Sequence, residues 1–180
     1  MITLTSKSEL RKKAIEIRNS MANTNALKSV SLNIISNILN SGDFKKAKNI
    51  ALYLPIRTES DLTSLLNVKD KNFDLPRCNG DDLEFCLFEG ENSLTQGRFN
   101  ILEPTGKKID PTILDIIYIP ALMANKKCYR LGYGKGFYDR FFAFNEIKAK
   151  KVIVVAFNLI SNEFVQDDLD FQCDEIISEK

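Results

Sequence analysis

The run of six apolar residues at positions 152–157 is the feature that most limits how this chain can fold. A short apolar run rich in β-branched residues predicts a strand buried on both faces. Residues 49–54 and 114–119 form two similar stretches, each followed by a proline. Because buried strands that alternate with helices form parallel sheets, the pattern predicts a three-layer α/β/α fold with a largely parallel sheet. At this length we expect a single domain over residues 1–180.

Weaker patterns predict the remaining elements. Ser6 and Glu9 fit a capping box, which predicts a first helix at residues 7–20 with Leu10 on its apolar stripe. Further helices are expected at residues 25–39, 61–68 and 137–146. Further strands are expected at residues 73–76, 83–88 and 174–178, and a turn at residues 103–106. Four phenylalanines are assigned to the core: Phe85, Phe88, Phe99 and Phe141.

Three loops follow the strongest predicted strands, at residues 55–61, 120–136 and 158–170. In α/β sheets, ligands bind beyond the carboxyl ends of the strands. We therefore expect a binding site where these loops meet.

The second of these loops contains an unusual glycine cluster. Residues 130–140 read RLGYGKGFYDR, and they include three of the chain's eight glycines. Alternating glycines allow positive φ angles and a close approach of backbone to ligand. The aromatic run after Gly136 is typical of a helix start, and its N–H groups with Lys135 and two arginines suit a phosphate. The spacing is neither a Walker A loop nor G-x-G-x-x-G. A tight strand-to-helix turn is the alternative role for these glycines.

The residue types in the chain exclude several chemistries. There is no histidine, which removes the commonest general base and every Ser-His or Cys-His catalytic pair. The four cysteines are far apart in sequence, so we expect reduced thiols rather than a zinc site. A bound metal should be a hard cation held by oxygen atoms, and magnesium is the first candidate.

The charge balance limits the expected partners. A formal net charge of +1 argues against bulk affinity for nucleic acid or membrane. Residues 1–20 lack the apolar segment of a signal peptide, and no run of 18 apolar residues occurs. We expect a small-molecule substrate, no nucleic acid, no membrane and a cytoplasmic location. A monomer is expected, with a dimer as the alternative.

The first predicted helix carries a basic face. Lys7, Arg11 and Arg18 lie within about 40° of each other around a helix that advances about 100° per residue. From the pattern alone, a solvated face is favoured over a second set of phosphate ligands. No site role is assigned to Arg18.

Taken with its flanks, the glycine loop resembles the 5-formyltetrahydrofolate cyclo-ligases, also called 5,10-methenyltetrahydrofolate synthetases. The other matching segments occur in the family's order: Lys7-x-x-x-Arg11, Leu54-Pro-x-x-x-Glu59, Glu103-Pro104, Ile119-Pro120 and residues 174–179. The resemblance therefore spans nearly the whole chain.

This resemblance implies ATP- and magnesium-dependent closure of 5-formyltetrahydrofolate to 5,10-methenyltetrahydrofolate, giving ADP and phosphate. It implies that ATP is bound by Lys7, Arg11, Arg130, Leu131, Gly132, Tyr133, Gly134, Lys135, Gly136, Phe137 and Tyr138. It implies that the folate contacts Leu54, Glu59 and Tyr138. Asp139 and Asp170 would hold magnesium. Lys135, Arg130 and Arg140 would supply positive charge during phosphoryl transfer, which needs charge neutralisation more than a strong base.

The chain also departs from the family's pattern before the glycine loop and near the C-terminus, at Ala124, Asn125, Cys128, Ile160, Val165 and Leu169. Two alternatives follow from these departures. The chain could be a non-catalytic protein that binds nucleotide or folate, or an ATP-dependent enzyme of the same fold with a different acceptor. RNA binding through the basic first helix is a more remote alternative.

Overall fold

The computed structural model of the chain describes residues 6–97, 100–164 and 166–180. The α-helices of this part are α1 (Lys7–Asn23), α2 (Ala26–Asn40), α3 (Gly42–Lys46) and α4 (Phe137–Phe144). The first five strands are β1 (Asn49–Ala51), β2 (Asn72–Asn79), β3 (Asp82–Leu87), β4 (Leu94–Gln96) and β5 (Leu102–Pro104). The others are β6 (Ile116–Pro120), β7 (Met123–Ala124), β8 (Arg130–Leu131), β9 (Lys150–Val154) and β10 (Glu175–Ile177).

A six-stranded sheet with the order β10-β9-β6-β1-β2-β3 organises the molecule. Neighbouring strands are parallel except β2 and β3, which form an antiparallel hairpin at one edge. The pairing of Ile50 with Ile116 and of Ile119 with Ile153 places apolar side chains at matching positions in the central strands. Such strands are stable only when helices cover them. The predicted α/β class with a largely parallel sheet is confirmed.

The central strands are shorter than the apolar runs that predicted them. β9 ends at Val154, because the backbone turns at Ala156 into a short 3-10 helix, Phe157–Leu159. β1 ends at Ala51, although the Leu52 N–H still bonds the Asp74 carbonyl oxygen at 3.0 Å. Most apolar residues of these segments are buried whether or not they belong to a strand. Each strand ends where its backbone stops pairing regularly with the neighbouring strands.

The edge hairpin was only partly predicted. The weak strand expected at residues 73–76 extends over Asn72–Asn79, because it pairs along its length with β3. Gly80, at φ +65°, and Asp81 form the two-residue turn between them. The turn expected at residues 103–106 overlaps β5, which pairs with β4.

The helices follow the predicted signals more closely. Ser6 and Glu9 form the predicted capping box of α1, and α2 begins after Asn25. α4 ends at Phe144, two residues early, where the Asn145 side-chain amide donates to the Phe141 carbonyl oxygen at 2.7 Å. The short helix expected at residues 61–68 is the 3-10 helix Thr63–Asn67.

The hydrophobic core lies between the sheet and the helices. Phe85 and Phe141 are buried there and meet edge to face, with ring centroids 5.1 Å apart. Phe88 is only partly buried, and Phe99 lies outside the described residues. None of the helices in the described ranges has the length and apolar character needed to cross a bilayer.

Candidate functional site

A cavity of about 810 Å³ lies beyond the carboxyl ends of β1 and β6. Its walls come from the segment after β1, from the glycine loop, and from Lys7 and Arg11 of α1. The loop at residues 158–170 contributes Asp170. The three loops therefore meet at one site, as their positions after parallel strands predicted.

The glycine loop needs its glycines for both conformation and space. Gly134 has φ +92°, and Gly136 has φ +68° where it precedes α4. Arg11 Nε donates to the Gly132 carbonyl oxygen at 2.9 Å. A Cβ atom on Gly134 would lie 3.2 Å from Arg11 Cζ, so a larger residue would press on that guanidinium. The loop and α1 thus fit together through backbone that only glycine provides without strain.

Positive charge is concentrated around this end of the cavity. Lys7, Arg11, Arg130 and Lys135 all contribute to its wall, and Lys135 is exposed. The Arg130 side chain is only 7% exposed, and its guanidinium lies 4.9 Å from the ring centre of Tyr138. One of its nitrogens lies 3.5 Å from an Asp139 carboxylate oxygen. These contacts fix the Arg130 charge, whereas Lys135 can reach into the open space.

Lys7 joins the first helix to the C-terminal loop. Its Nζ lies 2.5 Å from Asp170 Oδ2 and 2.7 Å from Asp167 Oδ2. Partial burial disfavours the charged ammonium, but the bonds to both carboxylates outweigh it and raise the pKa of Lys7. Lys7 is therefore held as a cation beside the cavity.

Arg140 faces a different direction from the rest. Its guanidinium donates to the carbonyl oxygen of Lys135 at 2.9 Å and to that of Asp81 in the hairpin turn. It is not among the residues that line the cavity. In this arrangement Arg140 fixes the glycine loop to the β2–β3 hairpin, and its predicted catalytic role stays a prediction.

The lining of the same cavity also includes apolar surface and one buried carboxylate. Leu54, Glu59 and Tyr138 line it, as the resemblance implied, together with Pro76 and Leu83. Glu59 is 7% exposed and accepts a hydrogen bond from the Ile56 N–H at 3.0 Å. Burial raises the pKa of Glu59 to about 7, against that hydrogen bond and two nearby arginines. Glu59 can therefore change charge near neutral pH.

Arg18 is the residue that sequence reasoning misplaced. It lies on the buried face of α1 with Leu10 and Ala14 and is only 3% exposed, so it is not part of a solvated basic face. Its Nε donates to the Thr58 carbonyl oxygen at 2.7 Å. Nothing in the helix pattern could reveal this, because the loop that covers Arg18 is distant in sequence.

Two residues that depart from the family pattern, Asn125 and Cys128, lie in the loop before β8, and both are compatible with its conformation. Asn125 is buried, and its side-chain oxygen accepts from the backbone N–H groups of Lys127 and Tyr129 at 3.0 and 3.1 Å. Cys128 has φ +62°, a conformation that glycine adopts without strain. Glycine would therefore fit this position better than cysteine. The strain is local, and β7 and β8 still pair.

The other departures lie toward the C-terminus. Ala124 and Ile160 form a parallel bridge, which ties the loop after β9 to β7. Leu169 is 84% exposed and leaves Asp170 in contact with Lys7. Val165 lies outside the described residues.

The carboxylates near the cavity suit a metal only in combination with a ligand. Among the described side chains, no group of three or more metal-binding residues is placed to hold an ion by itself. Asp139 lines the cavity and is 27% exposed. Magnesium usually takes one or two carboxylates and completes its shell with phosphate oxygens and water, so Asp139 fits it. The Asp170 carboxylate is bonded to Lys7 and to the Asp167 N–H, so it becomes available only when the Lys7 contact opens.

A largely parallel α/β sheet with a large cavity beyond its strand ends is the arrangement of α/β enzymes that bind small molecules at that edge. The chain belongs to the 5-formyltetrahydrofolate cyclo-ligase family, whose sequence model matches residues 3–179.

Individual relatives agree with this assignment. The 5-formyltetrahydrofolate cyclo-ligase of Mycoplasma genitalium is 32% identical over 130 residues, which cover 72% of this chain and 72% of the relative. That of Haemophilus influenzae is 32% identical over 136 residues, covering 69% of this chain and 73% of the relative. The solved 5,10-methenyltetrahydrofolate synthetase of Aquifex aeolicus superposes with a TM-score of 0.83 at 35% identity, covering 97% and 90% of the two chains.

A further solved structure supports the fold alone. The 5,10-methenyltetrahydrofolate synthetase of Mycoplasma pneumoniae superposes with a TM-score of 0.80 at 24% identity, covering 98% of this chain and 100% of the other. The family resemblance recognised from the glycine loop and its flanks is confirmed.

Proposed function

We propose that this chain catalyses the ATP- and magnesium-dependent cyclisation of 5-formyltetrahydrofolate to 5,10-methenyltetrahydrofolate, releasing ADP and phosphate. Membership of the cyclo-ligase family supports the reaction. The observation that carries the proposal for this chain is that one cavity is lined by two unlike sets of residues. One set is the glycine loop with Lys7, Arg11, Arg130 and Lys135, and the other is apolar surface with the buried Glu59. We assign the first set to a cationic end of the site and the second to an apolar end.

The cationic end is the proposed nucleotide site. Backbone N–H groups of residues 130–138 would donate hydrogen bonds to the phosphates. The positive φ of Gly134 and Gly136 turns the backbone so that it can do this. Lys7 and Arg11 approach from α1. A triphosphate needs this density of positive charge, since its own charge would otherwise remain uncompensated after leaving water.

The apolar end is the proposed folate site. Leu54 and Tyr138 offer surface for a flat ring system. An ionised Glu59 can accept hydrogen bonds from ring N–H groups, and charge-assisted bonds of this kind are the stronger ones. The substrate class is therefore one with an apolar ring and adjacent N–H donors.

The chemistry proposed here suits a chain without histidine. A formamide oxygen is a poor leaving group, so transfer of the γ-phosphoryl group to that oxygen activates the formyl carbon. N10 of the folate then attacks this carbon and loses its proton to solvent, the ring closes, and phosphate leaves with the former formyl oxygen. Phosphoryl transfer depends mainly on positioning and on stabilising charge in the transition state. Lys135 reaches toward the transferred group, and Arg130 supplies a second charge held by Tyr138.

Magnesium, when bound, would supply charge neutralisation for the phosphates. Asp139 is the carboxylate proposed to hold it, and Asp170 is proposed to join after Lys7 is released to the phosphates. Arg140 keeps the glycine loop against the hairpin while these charges rearrange.

Other properties proposed for the chain follow from this reaction. The substrates are small molecules, and neither a nucleic acid nor a membrane is required. We place the reaction in the cytoplasm, where ATP is abundant, and assign residues 1–180 to a single catalytic domain acting as a monomer.

The test is an assay of the methenyl product by its absorbance after enzyme, ATP, Mg²⁺ and 5-formyltetrahydrofolate are mixed. Product formation that requires both ATP and Mg²⁺ is the expected result. ATP binding without product would favour a non-catalytic binding protein, and ATP consumption with another acceptor would favour a different substrate. Either result would overturn the proposal.

A further inference from the structure

Arg18 is a buried charge that the proposed chemistry does not use. It projects from α1 into the base of the site and is 3% exposed. Its Nε bonds the Thr58 carbonyl oxygen at 2.7 Å, and its Nη1 makes a longer contact of 3.5 Å with the Ala121 carbonyl oxygen. One side chain thus ties the loop after β1 to the segment after β6, and both contribute to the wall of the large cavity.

The third nitrogen of Arg18 has no such contact. Nη2 is buried and has no hydrogen-bond partner among the residues that the structure describes. A buried donor without a partner is costly, and native proteins usually satisfy it with a water molecule. A small cavity of about 10 Å³, lined by Arg18, Tyr53, Glu59 and Ser60, lies at this place. That volume is about the size that holds one water molecule.

Glu59 lines both this small cavity and the large one, as do Tyr53, Pro120 and Ala121. Arg18 lines the small cavity and is not among the residues that line the large one, although it interacts with Tyr133, which is. The guanidinium therefore meets Glu59 at the small cavity. From this position it can act on the carboxylate without touching a ligand.

The charged and titratable groups around Glu59 come from several elements. Burial raises its pKa, and the positive charges of Arg18 on α1 and Arg130 on β8 oppose that effect. The neighbouring phenols belong to Tyr53, Tyr133 and Tyr138, and burial raises the pKa of each, so all three stay neutral near pH 7. Arg18 and Arg130 are therefore the charges that favour an ionised Glu59.

We propose that Arg18 is a positioning residue for the folate end of the site: it holds the Thr58 and Ala121 carbonyls together and, through one water molecule, keeps the Glu59 carboxylate ionised and aimed at the substrate. This inference rests on the proposed function, because it assigns Glu59 to substrate recognition. Arg18 itself touches no substrate. It differs from a simple structural contact in that its loss should change how binding depends on pH.

The first test compares Arg18→Gln and Arg18→Lys with the wild type between pH 5.5 and 9. Glu59 must be ionised to accept hydrogen bonds, so wild-type kcat/KM for 5-formyltetrahydrofolate should rise with pH through about 7. In Arg18→Gln, the midpoint should move upward by about one pH unit, because a nearby opposite charge is lost. At pH 7.5 this shift lowers the ionised fraction of Glu59 about threefold, so the folate KM should rise about threefold, with ATP KM changed by less than about twofold. Arg18→Lys should recover part of the loss.

Arg77 offers a matched control. Like Arg18, it contacts two backbone carbonyl oxygens, here those of Pro104 and Gly106; unlike Arg18, it bonds a carboxylate directly, that of Glu84, and it does not line the large cavity. Arg77→Lys should lower thermal stability without moving the pH midpoint. An unchanged midpoint in Arg18→Gln, with folate and ATP KM rising together, would make Arg18 a purely structural residue and overturn the proposal.

A second measurement uses no Arg18 variant, in case Arg18→Gln does not fold. In wild-type protein labelled with ¹⁵N-arginine, the slowly exchanging Nε–H signal of Arg18 should titrate with the midpoint of Glu59. The titration should disappear in Glu59→Gln. A signal in the wild type that does not change between pH 5.5 and 9 would also overturn the proposal. Because this readout needs no turnover, a failed cyclisation assay would remove the proposed function while leaving the contact between Arg18 and Glu59 testable.

Discussion

The ammonium of Lys7 lies 2.5 Å from a carboxylate oxygen of Asp170, although 163 residues separate them in the sequence. One is a proposed phosphate ligand and the other a proposed metal ligand. In the structure, the two side chains form an ion pair with each other. If both proposed roles are correct, we expect nucleotide binding to separate the pair, with Lys7 turning to the phosphates and Asp170 to a cation.

This pairing predicts different effects for the two carboxylates proposed to meet magnesium. Asp139→Asn should raise the Mg²⁺ concentration for half-maximal activity at least about tenfold, because Asp139 faces the cavity. Asp170→Asn should mainly lower the KM for ATP, because Lys7 no longer has to leave its closest carboxylate when the phosphates bind. Titration of Mg²⁺ at saturating ATP, and of ATP at saturating Mg²⁺, separates these effects. Equal Mg²⁺ requirements in wild type and Asp139→Asn would contradict the assignment.

Lys135 is predicted to act in the chemical step. Lys135→Ala should lower kcat about 100-fold or more, since it removes a charge that stabilises the transferring phosphoryl group. ATP affinity should change less, because Lys7, Arg11 and Arg130 remain. The exposed Lys126, in the loop before β8, is the matched control, and Lys126→Ala should be active. Wild-type turnover in Lys135→Ala would falsify the role given to this loop.

The close approach at Gly134 makes another prediction. Gly134→Ala should raise the KM for ATP about tenfold or more, because it strains a residue at φ +92° and crowds Arg11. Gly80→Ala is the control with a similar backbone strain, at φ +65°, and no heavy atom within 4 Å of the added Cβ. It should cost stability and leave ATP binding unchanged. Isothermal titration with a non-hydrolysable ATP analogue measures both.

Asp74 is a buried carboxylate in β2 whose Oδ1 has no hydrogen-bond partner among the described residues. Burial raises the pKa of Asp74 from 3.8 to about 6. The folded state therefore binds the proton more tightly than the unfolded state. Asp74 therefore contributes up to about 3 kcal/mol to the free energy of unfolding. This contribution is fully present below about pH 4 and is lost as pH rises through about 6.

Asp74→Asn should remove this dependence. The free energy of unfolding of the variant minus that of the wild type should be larger at pH 8 than at pH 5. Urea unfolding of both proteins at both pH values measures this difference. Asp110→Asn is the control, because Asp110 is not buried and hydrogen bonds from Thr112 lower the pKa of its carboxyl. It should gain nothing at pH 8. A pH-independent difference between wild type and Asp74→Asn would contradict the prediction.

The sequence predicted those parts of the site that depend on contiguous residues. The glycine loop carries its chemistry in its own spacing, so its place at the strand ends and its cations were predictable. The spacing of Lys7 and Arg11 placed them on one helix face. Their contacts with Asp170 and with the Gly132 carbonyl depend on a tertiary fit that no local pattern describes.

Arg18 marks the limit of reasoning from periodicity. Its angle around α1 is nearly that of Lys7 and Arg11, yet it is buried and they line a cavity. The difference arises because the loops after β1 and β6 cover only part of that face. The edge hairpin, in contrast, had a local signal: a Gly-Asp pair between two strand-like segments, with glycine at positive φ, is a known hairpin turn.

The contact between Lys7 and Asp170 also has a consequence for how the protein is made. The walls of the nucleotide end come from residues 7 and 11, from the glycine loop, and from residue 170. Because a ribosome synthesises the chain from its N-terminus, Lys7 of the first helix can pair with Asp170 only late in synthesis. A chain that stops before residue 170 lacks part of the wall of the proposed nucleotide site, so we expect ATP to stabilise it less than it stabilises the chain of 180 residues.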